Sequence, residues 1–134
     1  MLIPSIGFQG NCDEAINYYK EVLGAEVKAI NYFKDAPEDH GMEETLPSNF
    51  VMYAEVVLFG ATMVMADGMK RPMKGEEENF WLTLSFDCPK EATSIFNKLA
   101  DGGRVIEALA PQFWVSLSGD VVDRFGICWN VSAI

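Results

Sequence analysis

Histidine is nearly missing from this chain: His40 is the only one in 134 residues. One imidazole cannot build a multi-histidine metal centre. Cysteine is scarce as well. Cys12, Cys88 and Cys128 are widely spaced and form no CxxC pair. A disulfide framework and a zinc knuckle are therefore unsupported, and reduced thiols are expected. Basic residues are few, with 10 Lys and Arg against 20 Asp and Glu, for a net charge of -10. Such a chain repels phosphate backbones, and no Lys/Arg run offsets this, so no nucleic-acid partner is expected. No apolar run approaches the roughly 20 residues that span a bilayer, so no membrane association is expected. The start, Met1-Leu2-Ile3-Pro4, has no basic region ahead of an apolar core; no secretory signal is read there, and a cytoplasmic location is expected. What is present is apolar material: 49% of the residues, enough to build a core and to exclude a disordered chain. The length suits one domain.

Hydrophobic periodicity divides the chain into elements. Leu2 to Phe8 reads as a strand. Asn11 is a good helix cap, and Asp13 and Glu14 favour the positive end of a helix. Ala15, Ile16, Tyr19, Val22 and Leu23 follow at helical spacing, and Gly24 is a natural stop. Glu26 to Phe33 reads as a strand. Lys34 to Asn49 is acidic, carries Pro37, Gly41, Pro47 and His40, and has no periodicity; it is either a lid or an excursion. Phe50 to Phe59 and Ala61 to Ala66 form a hairpin around Gly60. In the polar stretch that follows, residues 68–79 read as a linker, with Glu76-Glu77-Glu78 solvated. Phe80 to Phe86 is then a strand, and Asp87 caps a helix with Pro89 in its first turn. Ala92, Ile95, Phe96 and Leu99 form that helix's apolar face, and Gly102-Gly103 ends it. Val105 to Leu109, Phe113 to Leu117 and Val121 to Val131 supply the remaining strands.

The second half repeats the first. Glu14-Ala15 matches Glu91-Ala92, Tyr18-Tyr19 matches Ile95-Phe96, and Leu58-Phe59-Gly60 matches Arg124-Phe125-Gly126. Each half reads β-α-β-β-β. The expected fold class is α+β: two βαβββ modules, 1–67 and 80–134, forming a curled mixed sheet around a cleft with helices on the outer face. Such a cleft is a default small-molecule site.

The segments Gly10-Asn11-Cys12-Asp13-Glu14-Ala15, Tyr18-Tyr19-Lys20 and Leu23-Gly24-Ala25-Glu26-Val27 carry a resemblance to a known family. Ala54-Glu55, Gly60, Asp67, Phe113-Trp114 and Asp123-Arg124-Phe125-Gly126 with Trp129 extend it. The chain resembles the vicinal oxygen chelate superfamily of glyoxalases, bleomycin-resistance proteins and extradiol dioxygenases. Within it the chain is similar to the PhnB-like group, often labelled 3-demethylubiquinone-9 3-methyltransferase. No Gly-rich strand-to-helix turn is visible to hold S-adenosylmethionine, and fold similarity does not carry chemistry. The resemblance implies a homodimer. It also places metal ligands, in metal-dependent members, at the positions of Pro4, Val64, Trp81 and Asn130. Only Asn130 could even weakly coordinate a divalent ion, so neither a metal nor another cofactor is expected. Tyr53 stands where the PhnB-like group often shows a His.

The same register separates the remaining candidates. Asn130 faces the cleft, so Trp129 is core. Trp81 shares the cleft face with Thr83 and Ser85, and Trp114 lines either the cleft or a subunit contact. Glu55, inside an apolar strand, is either cleft-facing or at an exposed edge. If buried without a cation it would be a general acid or base, with Tyr53 as its hydrogen-bond partner. Cys12 and Cys88 lie near helix N-termini, where a thiol is either activated or simply a small buried residue. The expected function is binding of a small organic molecule in an aromatic-lined cleft without a metal, through Tyr53, Glu55, Trp81, Thr83, Ser85, Trp114 and Asn130. A cationic ligand would suit the acidic charge and the tryptophans. The alternatives are a metal-dependent lyase, isomerase or dioxygenase of glyoxalase type, using Glu55 and His40, and a dimeric scaffold whose pocket is filled by its own side chains.

Overall fold

The structure is a computed structural model and describes residues 1–36, 46–69, 74, 76 and 79–134. It divides into two units, Met1–Pro72 and Met73–Ile134. Each unit has the same order of elements. The first runs β1 (Ser5–Phe8), α1 (Cys12–Leu23), β2 (Glu26–Tyr32), a single 3-10 turn (Phe33–Asp35), β3 (Val51–Leu58) and β4 (Ala61–Asp67). The second runs β5 (Leu82–Phe86), α2 (Pro89–Ala100), β6 (Arg104–Ala110), β7 (Leu117–Val122) and β8 (Cys128–Ala133). The sheets are four-stranded and mixed, in the orders β1-β4-β3-β2 and β5-β8-β7-β6. In each, the first strand pairs parallel to the last and the other pairs are antiparallel. The expected βαβββ repeat and the α+β class are thus observed.

The helices form because apolar residues recur on one face. In α2 the buried set is Ala92, Ile95, Phe96 and Leu99; in α1 it includes Ala15, Ile16, Tyr19 and Leu23. That spacing makes one stripe, which covers one face of the sheet of its own unit. Alternation along the strands supplies the other half of each core. Ala54, Val56 and Leu58 of β3 are buried with Met63 and Met65 of β4; Leu84, Phe86, Trp129 and Val131 do the same in the second unit. The opposite face of each sheet therefore collects the intervening residues: Tyr53 and Glu55 in the first, Thr83, Asp120 and Asn130 in the second.

Several boundaries differ from the sequence reading, each for a local reason. Asn11 is the N-cap residue of α1, but its side chain makes no cap bond. Its Oδ1 instead accepts from Gln9 N at 3.3 Å, and the free amide of Cys12 is taken by Asp67, a residue 55 positions away. Cys88, not Asp87, occupies the cap position of α2, again without a side-chain cap bond, while Pro89 holds the first turn as expected. The first strand starts at Ser5 rather than Leu2. Phe113 to Leu117 is not a strand, and Val121 to Val131 is not continuous. One strand, β7, runs through Ser118-Gly119-Asp120, and a turn at Asp123–Ile127 separates it from β8. The Ser-Gly-Asp run resembles a turn, but Gly119 lies against β6. A Cβ there would sit 2.9 Å from Glu107 O and Leu109 N. The glycine lets two backbones approach, and the strand continues. In the excursion, Phe33 N donates to Phe50 O and Lys34 N to Ser48 O, closing its two ends. Residues 37–45, with His40 and most of the expected lid, lie outside the described residues. So do Glu77 and Glu78 of the linker.

Candidate functional site

Among the described residues, a cavity of about 660 Å³ lies on the second unit, opposite the face that carries α2. Its walls come from three adjacent strands and the segments flanking them. Strand β8 contributes Asn130 and Cys128, β7 contributes Ser118 and Asp120, and β6 contributes Arg104 and Ile106. Trp81, just before β5, and Trp114, in the β6–β7 connection, add two indoles; Glu76 adds a carboxylate. The volume is in the range of small-molecule pockets. Both indoles remain accessible, Trp81 at 55% and Trp114 at 61% exposure. They are surface the pocket offers, not filler. Trp114 is braced by Phe113, whose ring packs edge-on at 4.8 Å between centroids.

The polar end is organised by Asn130. Its Nδ2 donates to Asp120 Oδ1 at 2.8 Å, to Ser118 Oγ at 3.0 Å and to Gly119 O at 3.2 Å. Register explains this: Asp120 and Asn130 are direct cross-strand partners, as are Ser118 and Ser132, so the amide lies along β7. Asp120 is also the cross-strand partner of Glu107 on its other side.

The structure brings together three of the residues expected at a site, Trp81, Trp114 and Asn130. Thr83 and Ser85 share the alternation of Trp81 along β5 and are exposed, but neither lines this cavity. Tyr53 and Glu55 belong to the first sheet, where the expected pair is present: Tyr53 Oη donates to Glu55 Oε1 at 2.9 Å. Accepting that proton leaves the carboxylate opposed to a phenolate, so the Tyr53 pKa is raised. The pair is not buried, since Tyr53 is 38% exposed. Trp129 is core, as expected, 2% exposed with its Nε1 donating to Asp123 Oδ2 at 2.9 Å.

Asp120, Ser118, Arg104, Ile106 and Glu76 were not legible as site residues. Asp120 carried a usable signal, an acidic residue alternating with apolar ones like Glu55, but Ser118-Gly119-Asp120 reads as a turn. Glu76, expected in a solvated linker, contributes to the cavity wall.

The two thiols near helix N-termini resolve differently. Cys88 is exposed. Cys12 is fully buried, and burial, followed by the charges of Asp67 and Asp13, pushes its pKa up to about 12. Desolvation outweighs the helix dipole there, and the thiol is a small core residue.

The four strand positions that the resemblance assigns to metal ligands hold Pro4 and Val64 in the first unit, Trp81 and Asn130 in the second. Pro4 and Val64 are joined through their backbones, Val64 N donating to Pro4 O at 3.0 Å, and the Asn130 amide is spent on β7. Two apolar side chains, an indole and a donating amide do not fit a divalent cation. Among the described residues no group of three or more His, Cys, Asp or Glu side chains is placed to hold one. Nor is any helix among them long and apolar enough to cross a membrane.

Comparison with known proteins agrees with this architecture. A family model described as 3-demethylubiquinone-9 3-methyltransferase matches residues 1–132. Protein YjdN of Escherichia coli (strain K12) is 30% identical over 142 residues, covering 99% of this chain and 95% of its own. The crystal structure of protein PA1353 from Pseudomonas aeruginosa matches with a TM-score of 0.81 at 32% identity, over 99% of this chain and 96% of that one. A glyoxylase/bleomycin resistance protein/dioxygenase domain from Frankia sp. EAN1pec matches with a TM-score of 0.68 at 14% identity, over 99% and 90% of the two chains. The last is a likeness of fold alone.

Proposed function

The chain belongs to the 3-demethylubiquinone-9 3-methyltransferase family and has the fold of the glyoxalase/bleomycin-resistance superfamily, and from that premise we propose that it binds a small organic molecule without a metal ion. The observation that carries the reading is the cavity of about 660 Å³ with two accessible indoles, Trp81 and Trp114, around a short polar end at Asn130. Flat aromatic side chains left exposed in a concave site gain most from a flat, partly apolar ligand. Tyr53, Glu55, Thr83 and Ser85, on the corresponding open faces, are further contact candidates in this reading. The protein acts as a homodimer in the cytoplasm.

Methyl transfer, named in the family's description, is not part of the proposal. The strand-to-helix connections are Gln9-Gly10-Asn11 and Asp87-Cys88, and neither is a glycine-rich turn of the kind that cradles a nucleotide-like cofactor.

A thermal-shift screen of small aromatic compounds tests binding. A ligand present at 100 times its Kd adds about 2.7 kcal/mol to folded-state stability, a readable rise in Tm. Absence of any rise across flat aromatics at millimolar concentration would count against the pocket and favour a scaffold role. Elemental analysis of untagged protein tests the metal-free part. Stoichiometric zinc, nickel, iron or manganese would overturn it and favour a glyoxalase-type lyase, isomerase or dioxygenase.

A further inference from the structure

The polar end of the cavity has an imbalance. Both protons of the Asn130 amide are committed to β7, to Ser118, Gly119 and Asp120. What remains of that pair is acceptor only: the amide oxygen of Asn130 and the second carboxylate oxygen of Asp120. Neither has a partner among the described residues. A second feature points the same way. Among the described residues, two carboxylates, Asp120 and Glu76, line the cavity against one guanidinium, Arg104. The walls also include the indoles of Trp81 and Trp114, a ring type whose face attracts cations through its quadrupole.

Resting on the pocket reading above, we propose that the ligand of this cavity carries a positively charged nitrogen on a flat body. The ammonium or aromatic cation meets Asp120 and the Asn130 oxygen, and the flat body lies against Trp81 and Trp114. The ligand's charge meets the Asp120 oxygen that the Asn130 amide leaves unengaged. Asn130 is a positioning residue in this scheme: it fixes the Asp120 carboxylate and offers its own oxygen beside it.

Three probes of one shape test this by calorimetry at pH 8: N-methylquinolinium (cationic), 2-methylquinoline (neutral) and 2-naphthoate (anionic). The cation is expected to bind about tenfold more tightly than the neutral probe, a step equal to about 1.4 kcal/mol. Asp120→Asn keeps the shape and the acceptor for Asn130; it should reduce cation affinity at least about fivefold and leave the neutral probe unchanged. Glu76→Gln, at the cavity wall, should weaken the cation alone, by less. Equal affinity for all three probes would overturn the cation and leave the pocket standing. Tightest binding of 2-naphthoate would overturn it in favour of an anion held by Arg104. Binding of none of the three would remove pocket and cation together. Circular dichroism of both variants confirms that they fold.

Discussion

Two buried aspartates tie separate segments together at the residue scale. Asp67, at the end of β4, accepts from Gly10 N at 2.6 Å, Cys12 N at 3.0 Å and Val51 N at 2.8 Å. One buried carboxylate thus ties β4 to the start of α1 and the start of β3. Asp123, in the second unit, accepts from Phe125 N, Ile127 N and Trp129 Nε1 at 2.8, 3.1 and 2.9 Å. A buried carboxylate is costly unless its lone pairs are filled, and here they are. Asp67→Ala would strand three donors, and a loss of about 3 kcal/mol or more is expected in urea unfolding. Asp67→Asn keeps one acceptor and should lose less. Cys12 yields a pH prediction. Folded, its thiol stays neutral up to about 12; unfolded, it ionises near its ordinary 9.0. The unfolded state therefore binds fewer protons between those values. The contribution is fully present below pH 9 and is lost as pH rises toward 12, at up to about 1.4 kcal/mol per unit. Comparing urea midpoints at pH 8 and pH 10 should show this slope in the native chain and a shallower one in Cys12→Ala. At pH 8, a thiol reagent should label Cys88 in the folded protein and spare Cys12.

At the scale of elements, two glycines serve different ends. Phe59-Gly60 joins β3 to β4, and both residues have positive φ, 48° and 81°. That is the geometry of a two-residue hairpin turn matched to the strand twist. Nothing lies within 4 Å of a Cβ at Gly60, so Gly60→Ala meets only backbone strain, about 1–2 kcal/mol. Gly119 has no such φ requirement but faces backbone of β6. Gly119→Ala must push β6 from β7, at a cost of about 1–3 kcal/mol, and should also weaken ligand binding because Asp120 follows it. Gly60→Ala should leave binding intact. Thermal melts with and without ligand separate the two. Element legibility follows the same physics. The helices were readable because their apolar stripes are local. The strands β3 and β4 were readable because alternation is local too. β7 was broken in two because the reason for Gly119 lies on another strand.

For the whole molecule, the βαβββ repeat places one face of each sheet under a helix and leaves the other face without one. Trp81 and Trp114 carry little of the fold at 55% and 61% exposure. Replacing either with Ala should change unliganded stability by about 0.5 kcal/mol or less and sharply reduce the ligand-induced rise in Tm. Loss of folding in both variants would show that they are core instead.

By itself the sequence determined the class, the duplication and the family, because these rest on patterns spaced a few residues apart: alternation, helical stripes, and motifs such as Gly10 to Ala15 and Asp123 to Gly126. Tertiary structure decided which carboxylate caps α1, where β7 runs, and that Asp120 rather than Thr83 or Ser85 completes the polar end of the cavity. Those outcomes depend on cross-strand register and backbone approach, which join residues tens of positions apart and leave no periodic trace in the chain.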